Sequence, residues 1–91
     1  MHERALLDDL LREIAAVAAR EGAACVTRVE VRLGALSHFT PEHFREHFED
    51  AARGTVAEGA SVVATLDGDL GDPHADGVRL VAIDVASPAP S

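Results

Sequence analysis

The apolar period of this chain changes across residues 22–26, and that change limits what it can fold into. Up to Glu21 the apolar residues recur at helical spacing, with Leu6, Leu7, Leu10, Leu11, Ile14, Val17 and Ala18 on one side. Arg4, Asp8, Asp9, Arg12, Glu13 and Arg20 lie mostly on the other, so residues 3–21 read as an amphipathic helix. Gly22 stands just past the last turn, where a residue free to adopt positive φ ends a helix most easily. From Val26 the period becomes two: Val29, Val31 and Leu33 alternate with Arg28, Glu30 and Arg32, the pattern of a half-buried strand with a charged, solvated face.

The remaining elements follow from local signals. Gly34-Ala35-Leu36-Ser37 breaks the alternation, and Thr40-Pro41 then supplies a helix N-cap with proline at the first helical position. Phe39 and Phe44 occupy the two positions of a hydrophobic staple, and Phe44, Phe48, Ala51 and Ala52 continue an apolar stripe toward Gly54. Residues 60–66 and 78–85 are valine-rich runs of strand length, separated by a polar, glycine-rich connector at residues 67–77. The order α-β-α-β-β predicts an α+β domain over residues 1–85, with two helices packed on one face of a three-stranded sheet. The last two strands are expected to be neighbours joined as a hairpin. Residues 86–91 have nothing to bury and are predicted to be a disordered tail.

Composition narrows the function. At 91 residues the chain has room for one domain, which buries roughly 60–65% of its unfolded surface. A net charge of −8 without a single lysine repels phosphate backbones, which argues against nucleic acid and favours cations or basic protein surfaces. No apolar run reaches the length of a membrane helix, and Glu3, Asp8, Asp9 and Glu13 interrupt the region where a signal peptide needs uncharged residues, so a cytoplasmic protein is expected. Cys25 is the only cysteine, which rules out an internal disulfide and a multi-cysteine zinc site within this chain. Its simplest role is that of a small buried apolar residue.

Metal-ligating chemistry is concentrated at the start, Met1-His2-Glu3. An amino-terminal amine, the backbone nitrogen of His2 and one imidazole nitrogen can close fused rings around a single ion, a nitrogen-rich tetragonal set suited to Ni(II) or Cu(II) rather than Mg or Ca. His2 is also too large to favour removal of the initiator methionine. His43 and His47 lie four residues apart on the second helix, the spacing at which two imidazoles can share a metal, although a solvated helix face is the simpler reading. Glu does not follow His43, so the pair is not a metalloprotease motif. His38 and His74 are lone loop histidines. Asp67, Asp69, Asp72 and Asp76 do not follow the calcium-loop spacing, whose bidentate glutamate position falls on Val78. No nucleophile stands in a catalytic sequence context, so the chain is not expected to be an enzyme.

With these elements in place, the chain resembles the HypA/HybF family of nickel metallochaperones. The resemblance is carried by Met1-His2-Glu3, by the strand and turn of residues 26–37 ending in Arg32-Leu33-Gly34-Ala35-Leu36-Ser37, and by Pro41-Glu42, Phe48-Glu49, Gly54-Thr55 and Glu58-Gly59-Ala60. It implies a metallochaperone that binds Ni(II) through Met1, His2 and Glu3, using the amine, the His2 side chain and backbone nitrogens. It also implies work with a maturation GTPase and a hydrogenase large subunit, delivery to [NiFe]-hydrogenase and in some organisms urease, and room for a homodimer. Family members insert a zinc ribbon of two Cys-x-x-Cys pairs between the last two strands. Here only the connector at residues 67–77 occupies that place, so no zinc ligand carries over and zinc is not expected. The alternative is an accessory interaction module of the maturation machinery that carries no metal. His43 and His47 do not belong to the family pattern.

Overall fold

The computed structural model describes residues 3–37, 39–68, 71 and 77–86. Helix α1 (Glu3–Arg20) is followed by strand β1 (Cys25–Leu33), helix α2 (Pro41–Ala51), and strands β2 (Ser61–Leu66) and β3 (Val78–Ala86). The two helices and the mixed sheet form the α+β arrangement expected from the apolar pattern.

Each helix is bounded by the groups its sequence supplies. At the end of α1 the Ala23 N–H donates to the Ala18 carbonyl (3.0 Å) and the Gly22 N–H to that of Ala19 (3.1 Å). Gly22 sits at φ +64°, so the pair of bonds is a Schellman cap closed by a residue without a Cβ. Thr40, extended at φ −92° and ψ 157°, caps α2 by accepting from the His43 N–H at 3.1 Å, with Pro41 at the first helical position. The Phe39 and Phe44 rings meet edge to face at 5.4 Å, which completes the staple.

Leu7, Leu10, Ile14 and Ala18 from α1 and Phe44 and Phe48 from α2 pack over the inner face of β1, where Val26, Val29, Val31 and Leu33 are buried. Val26 and Val29 are three residues apart, so strict alternation would point them to opposite faces. A register shift at Thr27 between Val26 and Arg28 restores the phase, as a β-bulge does. A second shift leaves Val81 unpaired and allows Leu80 and Ile83, also three apart, both to pack against the core. Arg28, Glu30 and Asp84 lie on the outer face, with the Arg28 guanidinium 3.0 Å from Glu30 and 3.7 Å from Asp84.

The sheet order corrects one expectation. The strands run β2-β1-β3, with β1 parallel to β2 and antiparallel to β3, so the last two strands are not neighbours and form no hairpin. Residues 34–60, containing α2, provide a crossover long enough for a parallel β1-α2-β2 unit, which places β2 on one edge of β1. β3 takes the other edge. Two smaller expectations also change. Cys25 is exposed because it precedes buried Val26 at the strand start and so faces away from the core. Ala86 belongs to β3 rather than to a tail, and its carbonyl accepts from the Ala24 N–H at 3.2 Å. Among the described residues no helix is long and apolar enough to cross a membrane.

Candidate metal centre

Met1 and His2 lie outside the described residues, and Glu3 is defined as the residue whose backbone opens α1. Immediately downstream, Arg4, Leu7 and Asp8 form one wall of a groove whose other wall is His47, Asp50 and Arg53 of the α2 end. Asp50 reaches Arg53 at 3.6 Å, and both side chains are exposed. The groove lining therefore includes one imidazole, the two carboxylates of Asp8 and Asp50, and the two guanidinium groups of Arg4 and Arg53.

His43 and His47 are both exposed on α2, and their ring centroids are 4.2 Å apart with the planes tilted by 40°. His43 also lies against the buried Phe39 ring at 5.9 Å. The helical spacing thus brings these two rings side by side rather than splaying them. His38 and His74 fall outside the described residues, as do Asp69, Asp72 and Asp76 of the connector. Asp67 is described, and its backbone N–H donates to the Leu33 carbonyl at 2.8 Å. Among the described residues no group of three or more His, Cys, Asp or Glu side chains converges to hold an ion. Sequence reading missed the shared groove, which needs the packing of α1 against α2. Its only trace in the chain is that Asp50 continues the His43 and His47 stripe three residues on.

Comparison with known proteins shows the family of this chain. The family profile described as hydrogenase/urease nickel incorporation, metallochaperone, HypA matches residues 1–67. The hydrogenase maturation factor HypA of Archaeoglobus fulgidus is 34% identical over 67 residues, covering 74% of this chain and 61% of that protein. HypA of Chlorobium phaeobacteroides is 35% identical over 88 residues, 96% of this chain and 78% of the relative. The solution structure of the Ni metallochaperone HypA from Helicobacter pylori shares the fold at a TM-score of 0.77 and 16% identity, covering 97% of this chain and 100% of that one. Against other relatives the chain spans about half their length, 45% for Pyrococcus furiosus and 53% for Chlorobium limicola. The family match runs through both helices and the first two strands, and on it this chain belongs to the HypA family.

Proposed function

We propose that this protein binds Ni(II) at Met1, His2 and Glu3 and delivers it during maturation of a nickel enzyme, a [NiFe]-hydrogenase or a urease. The observation that carries the reading is the family match beginning at residue 1, so that Met1-His2-Glu3 falls within the matched region. The chemistry of these groups supports it. The amine, the His2 imidazole and the deprotonated amide nitrogens of His2 and Glu3 make an all-nitrogen square-planar set of the kind Ni(II) accepts. Two deprotonated amides offset the charge of the ion, so the loaded site does not oppose the positive end of the α1 dipole. Glu3 is the first residue of α1, and the first amides of a helix have no intrahelical acceptor, so ligation there breaks no helical bond.

In this reading residues 1–85 are a nickel-binding domain in which the connector at residues 67–77 takes the place of the family's zinc ribbon. The protein is a carrier and not a catalyst, it acts in the cytoplasm, and its partners are a maturation GTPase and the large subunit that receives the metal. A second reading, an accessory module that docks a partner without metal, draws support from the family match ending at residue 67, where the connector begins.

Nickel titration decides between them. Protein with a free Met1 amine should take up Ni(II) with release of protons, because the amine and the amides must deprotonate. His2→Ala should lose most of the tight binding while keeping the fold. A few residues added before Met1 preserve every side chain but convert the amine to an amide, and should weaken binding about as far. Unchanged affinity in the extended protein would remove the terminus from the site.

A further inference from the structure

We infer that His43 and His47 form a second divalent-metal site on α2, separate from the amino-terminal chelate and independent of its existence. Metal–imidazole nitrogen distances are about 2.0–2.1 Å, which puts two ring centroids bound at right angles around one ion roughly 4.5 Å apart. The observed separation is 4.2 Å, so the rings already stand near the spacing that cis ligation requires.

The surroundings bear on a cation here in three ways. The Phe39 ring is buried and lies 5.9 Å from the ring of His43, with its own edge-to-face contact to Phe44, which restricts the freedom that His43 must give up on binding. Asp50 continues the same stripe of α2, one turn beyond His47, and Asp8 lies across the groove that His47 lines; Arg4 and Arg53 line it too, with Arg53 3.6 Å from Asp50, so these two carboxylates balance the two guanidinium groups there. The net charge of −8 adds a general attraction for cations. Two imidazoles with water completing the sphere suit Ni(II), Cu(II) or Zn(II), since hard cations prefer oxygen donors. The site is a two-ligand protein chelate and is weaker than a full cage.

The test is calorimetric titration of the full chain with Ni(II) in three forms: unaltered, His2→Ala, and His2→Ala combined with His43→Ala and His47→Ala. The His2→Ala protein should retain one weak saturable equivalent, and the triple variant should lose it. Equal uptake by these two forms would overturn the proposal. Retained binding in His2→Ala that matches the unaltered protein would instead count against the terminal chelate, so the two ideas fail in different arms. A His43→Gln and His47→Gln pair, which keeps side-chain length and hydrogen bonding, should lose the equivalent equally while its far-UV circular dichroism is unchanged. In the His2→Ala protein, Co(II) should broaden the ring-proton resonances of His43 and His47 before those of His38 and His74. Uniform broadening would likewise overturn the site.

Discussion

Replacing Thr40 with alanine tests whether the start of α2 is held as the structure indicates. The Thr40 hydroxyl accepts the His43 N–H at 3.1 Å, and Pro41 brings no N–H of its own to the first turn. Removing the hydroxyl leaves the His43 amide without that acceptor, and losing a Ser or Thr cap in this way costs about 0.5–2 kcal/mol, typically ~1. Thr40 is exposed, so water can reach the freed amide, and the edge-to-face contact of Phe39 on Phe44 still fixes the entry of the chain. Both points favour the middle of the range, ~1 kcal/mol. At about 4–8 °C per kcal/mol for a domain of this size, the melting temperature should fall by about that amount. In urea, with a slope of about 1–2 kcal/mol per molar, the midpoint should drop by roughly 0.5–1 M without a change in slope. Native stability at about 0.05–0.15 kcal/mol per residue leaves the variant folded. Thr40→Ser should behave as the unaltered protein and Thr40→Gly should lose only a few tenths of a kcal/mol. A Thr40→Ser protein as unstable as Thr40→Ala would show that the hydroxyl is not the cap and that the loss comes from the methyl group.

Phe48→Ala removes a ring that is 1% exposed and stacked on Phe44 at 5.9 Å, and should cost about 3–5 kcal/mol, read as a fall in melting temperature several times that of Thr40→Ala. Gly22→Ala meets no atom within 4 Å, so its expected loss of about 1 kcal/mol in urea unfolding comes only from the positive φ of +64°; a neutral result would mean the Schellman turn is not retained in solution. Adding EDTA to the purified protein should leave its melting temperature unchanged, because the core rests on the apolar faces of α1, α2 and β1 rather than on metal ligands. A drop of several degrees would reveal a structural metal.

Local chemistry was the most legible part of this chain. Thr40-Pro41, the Phe39 and Phe44 pair and Gly22 each act over a few residues, and each takes the role its position predicts. The faces of β1 were legible for the same reason, since Val29, Val31 and Leu33 alternate with charged residues. Strand order was not, because alternation says which face is buried and nothing about which strand lies beside it. A helix-length segment between the first two strands was nevertheless present in the sequence, and it is the signature of a parallel crossover. The bulges were hidden too, although Val26 and Val29 at odd spacing were their trace. At the candidate metal centre the sequence shows only which donors are on offer, Met1-His2-Glu3 and the His43 and His47 pair, and Met1 and His2 lie outside the described residues. The groove that joins the first turn of α1 to His47 depends on helix packing, which no local pattern encodes.

The sheet order also explains how the connector region can vary without threatening the fold. β2 and β3 flank β1, so the chain between them must cross two strand spacings, about 10 Å. Residues 67–77 can extend to roughly 36 Å, far more than the crossing needs. Both ends of this segment are held by adjacent residues at the end of β1: the Asp67 N–H donates to the Leu33 carbonyl at 2.8 Å, and the Gly34 N–H donates to the Gly77 carbonyl at 2.9 Å. Those two bonds tie the stems to the sheet, and neither involves a residue of the stretch between them. Loop-closure entropy grows only slowly with length, so a short connector and a longer insert differ by little more than about 1 kcal/mol at this place. The stems thus hold the register of β3 through bonds that do not depend on the residues carried between them.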